Sequence, residues 1–291
     1  MENNQSPARV ACIQMDVAQS DAAVNLETAH RLIGQACDNG ATLLVLPEQF
    51  NIGIMMKSRE NAYRAAEPIP GKTADFLVEI AQQRKVYIVA SQVEQEGYDL
   101  YNTAILAGPD GLLGKYRKLH PCGDEAYWFE GGNLGIPVFH TPIGRIAMLI
   151  CLDAYYPETF RICALQNADI VCVPSNWSDV SASRNLPAPY RTMAPTVCMS
   201  GALCNHLFVA ATNRVGRVDG VIFPGQSVIA NQWGAPIGSA GDAEEIIYAD
   251  VDLCDSRRRY FHPTNSRLAN RRTDVYSYSL GYDPKQYPQT K

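Results

Sequence analysis

The sequence lacks the features that would point to a membrane or a nucleic acid as its partner. No apolar run approaches the roughly 20 residues that a membrane-spanning helix needs, and the polar start MENNQSPARV has no apolar signal-peptide core. The formal net charge is −5 in 291 residues, so the composition gives no electrostatic reason to expect a nucleic-acid-binding protein. We therefore expect a cytoplasmic protein that binds neither membranes nor nucleic acids.

The nine cysteines also lack the patterns of a disulfide framework or a metal site. Their number is odd, they are scattered, and several lie inside apolar runs, as Cys12 and Cys172 do. No C-x-x-C pair is present. Both a disulfide-rich secreted domain and a cysteine-bound metal are therefore disfavoured.

Strand-like and helix-like segments alternate along the chain. RVACIQMDV, at residues 9–17, is predominantly apolar, and the next segment spaces its apolar residues by three and four, which predicts an amphipathic helix. ATLLVLPE, at residues 41–48, predicts a strand that is buried on both faces. The alternation predicts a layered α/β sandwich, and hairpin patterns around residues 109–111 and 143–144 predict mixed sheets. We find no clear internal repeat.

No long linker, low-complexity tract or block of like charge divides the chain. At this length a split into two domains is the default, although large single α/β domains also reach it. From about residue 255 the composition shifts towards arginine, tyrosine and proline. This shift predicts an extended carboxyl-terminal arm over residues 255–291.

Three apolar strands end in residues that can take part in chemistry. LLVLPEQF places Glu48 at a strand end, GKYRKLH places Lys118 there, and AMLICLD places Cys151 there. Taken singly, a capping glutamate, a solvated lysine and a core cysteine are the more ordinary interpretations. Taken together, they could cleave an amide, because a thiolate can attack the carbonyl carbon, a carboxylate can move protons and a cation can stabilise the oxyanion.

A cysteine–histidine hydrolase is the main alternative at this point. His120 lies two residues after Lys118 and is the best placed of the histidines, but no histidine has a context that singles it out. We interpret His120 as structural.

Three longer segments surround these residues and occur in a fixed order. They are GATLLVLPEQF, GKYRKLHPCGDEAYWFEGGN and GRIAMLICLDAYYPETFR. Their content and order resemble the glutamate, lysine and cysteine motifs of the nitrilase superfamily of carbon–nitrogen hydrolases, in its amidase and N-carbamoyl-amide hydrolase branch. The segments NADIVCVPSNW, ALCNHLFVAATNRVG and FPGQSVIANQWGAPI extend the resemblance over nearly the whole chain.

The resemblance implies a four-layer α-β-β-α sandwich in a single domain over residues 1–291, and it implies a role for each residue of the motifs. Cys151 would be the nucleophile, and Glu48 would be the general base and the acid towards the leaving group. Lys118 and the backbone N–H of Leu152 would stabilise the oxyanion. Glu125, seven residues after the lysine, would orient the substrate and hold Lys118. The reaction would pass through a thioester and would need no metal and no cofactor.

The residues after the cysteine bear on the substrate. Nitrile-cleaving relatives usually have Trp-Glu there, whereas this chain has Leu152-Asp153 followed by Ala154 and two tyrosines. An amide or N-carbamoyl compound is therefore favoured over a nitrile. The family's carbamoyl-amino-acid hydrolases tend to have arginines just after the cysteine for a substrate carboxylate, and this chain has none there. A neutral or cationic substrate is therefore favoured over an anionic one. The side chains expected around the substrate are Leu152, Asp153, Tyr155, Asn176, Trp177 and Ile54, which replaces a tyrosine common in the family. For Trp177, core packing is an equal alternative.

Two alternatives to an amidohydrolase stay open. One is a nitrilase that converts a nitrile into an acid and ammonia, and the other is a catalytically silent scaffold that keeps the fold. The intact glutamate, lysine and cysteine argue against the scaffold. The resemblance also implies a homodimer or a larger homo-oligomer, in which residues 257–287 could cross to a partner subunit. The expected partners are therefore further copies of the chain and a small amide, carbamoyl or nitrile substrate.

Overall fold

Nearly continuous apolar segments form the central strands of two six-stranded sheets. The computed structural model describes residues 7–53, 56–187 and 191–280. In chain order the strands are β1 (Ala8–Gln14), β2 (Leu43–Val45), β3 (Tyr87–Glu96), β4 (Asp99–Gly108), β5 (Gly111–Arg117), β6 (Val138–Thr141), β7 (Gly144–Met148), β8 (Ile170–Pro174), β9 (Phe208–Thr212), β10 (Val215–Val218), β11 (Val221–Pro224), β12 (Val228–Ala230), β13 (Pro236–Ser239), β14 (Glu245–Val251), β15 (Tyr260–His262) and β16 (Asn265–Ser266).

Helices connect the strands, as the alternating pattern predicts. They are α1 (Ala22–Asp38), α2 (Arg59–Ala65), α3 (Lys72–Arg84), α4 (Pro157–Leu165), α5 (Ser181–Arg184), α6 (Ala194–Asn205) and α7 (Thr273–Ser279). Within the described residues, three short 3₁₀ helices lie at Gly123–Tyr127, Cys151–Tyr155 and Leu253–Arg257. None of the helices in the described ranges combines the length and the apolar character needed to cross a bilayer.

The two sheets share one order of pairings. The first sheet runs β14-β1-β2-β3-β4-β5, and the second runs β13-β12-β9-β8-β7-β6. Counted from β14 and from β6, both sheets show one antiparallel pairing, two parallel pairings and two antiparallel pairings. Both sheets are therefore mixed, and the chain repeats a topology without a clear repeat in its sequence.

Helices α1 and α3 cover the outer face of the first sheet. The predicted apolar stripe of α1 is buried at Ala29, Leu32, Ile33 and Ala36. These residues join one core cluster with residues from α3 and from the facing strands, such as Ile88. Burial of the stripe therefore fixes how the helices sit on the sheet.

Helices α4 and α6 cover the outer face of the second sheet and pack against each other. The α4–α6 contact needs a glycine, because a Cβ atom at Gly201 would lie 2.6 Å from Cδ2 of Phe160. The glycine therefore allows the closest approach of the two helices.

The inner faces of the two sheets meet. The Thr212 hydroxyl, at the end of β9, donates to the carbonyl of Val45 in β2 at 3.1 Å. Just beyond β2 and β8, the backbone N–H of Glu48 donates to the carbonyl of Ser175 at 3.3 Å. Helices, sheet, sheet and helices thus form four layers, which confirms the predicted α-β-β-α sandwich.

The chain divides into two compact units, residues 1–257 and residues 258–291. The first unit contains both large sheets. In the described part of the second unit, β15 and β16 pair in antiparallel fashion and α7 follows them. The boundary lies close to the predicted start of the carboxyl-terminal arm, and the crossing of that arm to a partner stays a prediction.

Candidate active site

Three of the predicted strand ends converge between the two sheets. Glu48 follows β2 and Lys118 directly follows β5, and these two strands run in the same direction in the first sheet. Cys151 is the third residue after β7 of the second sheet. The three residues are almost fully buried, with exposures of 0%, 1% and 6%. The packing of the sheets therefore brings a carboxylate, an ammonium group and a thiol together, away from bulk water.

Lys118 lies between two carboxylates. Its Nζ atom is 2.7 Å from Oε1 of Glu48 and 2.7 Å from Oε2 of Glu125. Burial alone would lower the pKa of the Lys118 ammonium group, but the Glu125 and Glu48 carboxylates outweigh burial and raise that pKa well above its ordinary value. Lys118 is therefore a fixed cation at neutral pH.

The two oxygens of the Glu48 carboxylate differ in their hydrogen bonding. Oε1 accepts hydrogen bonds from Lys118 and from Nδ2 of Asn102, each at 2.7 Å. Oε2 is buried and has no hydrogen-bond partner among the described residues. Burial raises the pKa of Glu48, Glu125 raises it further, and Lys118 opposes the change. A carboxylate with a raised pKa and a free oxygen is suited to accept a proton.

Cys151 occupies a strained position at the start of the 3₁₀ helix Cys151–Tyr155. Its φ angle is +47°, a left-handed conformation that residues with a Cβ atom rarely adopt. Burial, followed by the Glu48 carboxylate, raises the pKa of the Cys151 thiol well above its ordinary value, although Lys118 and the backbone N–H of Asn176 oppose the shift. The resting thiol is therefore protonated at neutral pH, and attack requires a base.

Glu125 is positioned by the 3₁₀ helix Gly123–Tyr127. Its Oε2 atom accepts from the backbone N–H of Cys122 at 2.8 Å as well as from Lys118. Its Oε1 atom accepts from Nδ2 of Asn102 at 3.2 Å. Asn102 therefore bridges Glu125 and Glu48, and the two carboxylates share both the lysine and the amide.

Asn176 and Trp177 follow β8 and are both buried. Nδ2 of Asn176 donates to the carbonyl of Glu48 at 2.7 Å. The backbone of Trp177 is held by the side chain of Asn213, which accepts from its N–H at 2.8 Å and donates to its carbonyl at 3.0 Å. Within the described residues, Oδ1 of Asn176 and Nε1 of Trp177 have no hydrogen-bond partner. Each side chain thus has one buried polar atom, beside the cluster, that is available for a further hydrogen bond.

The other residues expected around a substrate differ in their surroundings. Leu152 is partly buried, and Tyr155 has 41% of its surface exposed. Ile54 lies outside the described residues. Asp153 is fully buried and its carboxylate accepts four hydrogen bonds from the protein. Since a carboxylate offers about four acceptor sites, the expected contact of Asp153 with a substrate has no free oxygen to use.

Sequence reasoning missed several groups that complete the site. Asn102 is the most important, because it contacts both carboxylates. Gln49 is also buried, with a φ angle of +46°, and its backbone N–H donates to the Ser91 hydroxyl at 2.8 Å. The signal for Asn102 and Ser91 was a polar residue inside a buried apolar strand, which usually requires a hydrogen-bond partner.

The cluster combines a thiol, a base with a free oxygen and a fixed cation. This combination can attack an electrophilic carbon, transfer protons and stabilise a developing negative charge. In residues 7–53, 56–187 and 191–280, no group of three or more histidine, cysteine, aspartate or glutamate residues is arranged to hold a metal ion.

The chain is similar to known proteins over most of its length. The carbon–nitrogen hydrolase family model matches residues 9–259. A nitrilase from Pyrococcus abyssi (strain GE5 / Orsay) is 36% identical over 92% of this chain and 98% of its own length. An N-carbamoylputrescine amidase from Solanum lycopersicum is 30% identical over 94% of this chain and 95% of its own. The crystal structure of a carbon–nitrogen hydrolase from Helicobacter pylori G27 has a TM-score of 0.85 at 27% identity, covering 95% of this chain and 99% of that one.

Proposed function

Because this chain belongs to the carbon–nitrogen hydrolase family and is an amide- or nitrile-hydrolysing enzyme, we propose that it hydrolyses a small amide or N-carbamoyl compound through a thioester on Cys151. The observation that carries the proposal is the buried contact between Glu48 and Lys118 beside the strained Cys151. In this arrangement a base and a fixed cation lie next to a thiol that is protonated at rest.

In the first half of the reaction, Glu48 accepts the proton of the Cys151 thiol and the sulfur attacks the carbonyl carbon. The carbonyl oxygen becomes an oxyanion, which Lys118 and the backbone N–H of Leu152 stabilise. Glu48 then gives the proton to the leaving nitrogen. The carbon–nitrogen bond breaks, ammonia or an amine departs, and the acyl group stays on sulfur as a thioester.

In the second half, a water molecule replaces the departed amine. Glu48 accepts a proton from the water, whose oxygen attacks the thioester carbon. The carbon–sulfur bond breaks, Cys151 recovers its proton from Glu48, and the acid product leaves. The free Oε2 atom of Glu48 supports this role, since Oε1 is engaged by Lys118 and Asn102.

Glu125 holds Lys118 in this mechanism and helps to orient the substrate. The hydrogen bond between Lys118 and Oε2 of Glu125, at 2.7 Å, gives the ammonium group a second carboxylate partner besides Glu48. Because the lysine has two carboxylate partners, it keeps its charge when Glu48 is neutralised by the transferred proton.

The polarity of the site favours an amide over a nitrile. Three of its buried acceptor atoms have no partner among the described residues, namely Oε2 of Glu48, Oε1 of Gln49 and Oδ1 of Asn176. An amide or ureido nitrogen carries N–H donors that can satisfy such acceptors, whereas a nitrile nitrogen carries none. Nitrile hydrolysis is the second candidate, because the Pyrococcus abyssi relative is a nitrilase.

A panel of matched substrates tests the proposal. The purified protein is incubated with an aliphatic amide, the nitrile with the same carbon chain and N-carbamoylputrescine, and ammonia release is followed together with the mass of the protein. We expect ammonia from the amide or the carbamoyl compound and an acyl adduct on the peptide that contains Cys151. Cys151→Ala should abolish both signals, and Cys204→Ala, at an exposed free cysteine, should preserve them.

Different results would contradict different parts of the proposal. Ammonia from the nitrile alone would favour the second candidate. The absence of ammonia and adduct with every substrate would exclude the proposed reaction. Hydrolysis that persists in Cys151→Ala would exclude Cys151 as the nucleophile.

We further propose that the enzyme acts in the cytoplasm as a homodimer or a larger homo-oligomer of single-domain subunits. Support comes from the resemblance of the whole chain to its family. Light scattering of the purified protein tests the assembly, and a monomeric mass would contradict it.

A further inference from the structure

The Asp153 carboxylate is a buried junction outside the cluster of Glu48, Lys118 and Glu125. Its Oδ2 atom accepts from the Tyr116 hydroxyl at 2.7 Å and from the backbone N–H of Ile150 at 3.1 Å. Its Oδ1 atom accepts from Nδ1 of His120 at 2.7 Å and from the backbone N–H of the same residue at 3.1 Å. The site is therefore a carboxylate enclosed by donors from the protein.

The donors come from the residues that flank the reactive groups. Tyr116 and His120 lie two residues before and two residues after Lys118. Ile150 directly precedes Cys151, and Asp153 lies two residues beyond it. One carboxylate thus ties both sides of the lysine segment in the first sheet to both sides of the cysteine segment in the second.

The conformation of Cys151 requires such a restraint. The left-handed region is strained for a residue with a Cβ atom, and the φ angle of Cys151, +47°, persists only where the surroundings hold it. The hydrogen bond from the Ile150 N–H to Asp153 closes the turn around Cys151. Asp153 therefore contributes to the geometry from which the sulfur attacks.

The side chain of His120 makes two contacts with the segment that follows Cys151. Its ring donates to Asp153, and it stacks on the ring of Tyr156 with a centroid distance of 3.7 Å and an interplanar angle of 11°. Tyr156 directly follows the 3₁₀ helix that begins at Cys151. The backbone next to Lys118 is thus attached to the backbone next to Cys151 by two hydrogen bonds and a stacked ring pair.

We propose that Asp153, His120 and Tyr116 form a positioning unit that sets Lys118 relative to Cys151. The inference rests on the proposed function, because the alignment of the lysine affects the rate only where an oxyanion forms near the sulfur. The unit acts through Lys118 and Cys151, and none of its members needs to contact the substrate. A misplacement of about 1 Å can cost on the order of 100-fold in rate, so loosening the unit should lower kcat with little change in KM.

The experiment compares two reactions of the same thiol. Acylation by an amide substrate requires both the thiol and the aligned lysine, whereas alkylation by iodoacetamide requires only a reactive thiol. We expect Tyr116→Phe and His120→Leu to slow single-turnover acylation by roughly 10- to 100-fold and to change alkylation of Cys151 by much less. His120→Asn, which keeps a donor near the position of Nδ1, should recover part of the loss.

Tyr101→Phe is the matched control. Tyr101 is a buried tyrosine in β4 whose hydroxyl bonds to Asn133 and Asp99 rather than to the cluster. Its removal should leave the ratio of acylation to alkylation unchanged. A variant that unfolds in part of the population would expose the buried Cys151 thiol and speed its alkylation. The ratio is therefore compared only among variants whose circular dichroism and urea unfolding midpoint match those of the wild type.

The outcomes separate this inference from the proposed function. If the wild type forms no thioester, the proposed function fails and this inference fails with it. If the wild type acylates normally and the ratio is unchanged in Tyr116→Phe and His120→Leu, only the positioning role is excluded. A higher KM at constant kcat would also overturn it, because that result indicates contact with the substrate.

Discussion

The side chains of Lys118 and Glu48 are joined by a 2.7 Å contact in a volume that solvent does not reach. The two opposite charges are shielded from water, and the attraction between them compensates the free-energy cost of their desolvation. Removal of one partner leaves the other charge buried and unpaired, which costs far more than the pair itself contributes. The chemistry and the stability of this site are therefore coupled.

Lys118→Met should reduce the free energy of unfolding by about 3–5 kcal/mol at neutral pH. The loss should shrink as the pH falls. Without the lysine, burial raises the pKa of Glu48 further above its unfolded value, so the folded variant is favoured at low pH and loses stability as the pH rises through the folded pKa. Urea denaturation of the variant and the wild type at several pH values measures the difference.

Lys57→Met is the matched control for the lysine. Lys57 pairs with Asp219 at 3.1 Å, but both side chains are exposed, and such pairs contribute little. The control should unfold like the wild type. An equal loss of unfolding free energy in both variants would contradict the expected difference between a buried and an exposed ion pair.

The rate of hydrolysis should depend on pH through Glu48. The base must be deprotonated to accept the thiol proton, and burial raises its pKa above the 4.5 of an unperturbed glutamate. The acid limb of kcat/KM should therefore have a pKa above 4.5, with activity rising as the pH increases through it. A pH profile of kcat/KM measures this limb.

Glu48→Gln should remove that limb and lower kcat by roughly 10²- to 10⁴-fold, the usual contribution of a positioned base. Glu60→Gln changes an exposed glutamate that pairs with Arg64 in α2, and it should preserve the wild-type profile. A Glu48→Gln variant with a normal acid limb would contradict the assignment of the base.

Asp169 should show the opposite dependence of stability on pH. It is buried and lies 2.7 Å from Arg145 and 2.8 Å from Arg257. Burial alone would raise the pKa of Asp169, but the two guanidinium groups outweigh it and lower that pKa below 3.8. Its stabilising contribution is therefore complete above the unfolded pKa and is lost as the pH falls through the folded pKa.

The test of this contribution is Asp169→Asn. The variant should lose about 1–3 kcal/mol of unfolding free energy at pH 7, because the two arginines that lose their partner are partly exposed. The difference from the wild type should narrow in acid. Denaturation curves at neutral and acidic pH provide the comparison, and a difference that widens in acid would contradict the expected sign.

Two helical glycines should respond in opposite ways to alanine. At Gly201 a Cβ atom would lie 2.6–2.8 Å from the ring of Phe160, so Gly201→Ala should destabilise by about 1–3 kcal/mol. At Gly34 in α1 a Cβ atom would meet nothing within 4 Å, so Gly34→Ala should stabilise by about 0.5–1 kcal/mol through higher helix propensity. Urea denaturation of the two variants gives the signs directly.

Much of the fold is readable from apolar periodicity, because the periodicity records which face of an element is buried. The stripe in α1 and the hairpins around residues 109–111 and 143–144 are confirmed. The shared pairing order of the two sheets is not readable, since apolar strand residues can replace each other without leaving a sequence repeat. The β10–β11 hairpin was missed although its Asp219-Gly220 turn, with φ angles of +48° and +84°, is a common hairpin signal.

The residues of the candidate site also divide into those that the sequence predicts and those that it does not. Glu48, Lys118, Glu125 and Cys151 are predictable because the motifs that contain them are continuous along the chain, and their assigned roles stay predictions. The part played by Asn102 depends on strands from different segments lying side by side, which no short stretch of sequence encodes. Prediction is therefore strongest for groups within a motif and weakest for groups that connect motifs.

The division of the site between the two sheets also has a use in the study of folding. Glu48 and Lys118 are attached to one sheet and Cys151 to the other, so neither sheet alone contains the full set. During refolding, recovery of enzymatic turnover would report the docking of the two sheets, whereas circular dichroism would report the formation of helices and strands. A delay between the two signals would show that the sheets form before they dock, and coincident signals would show that they form and dock together.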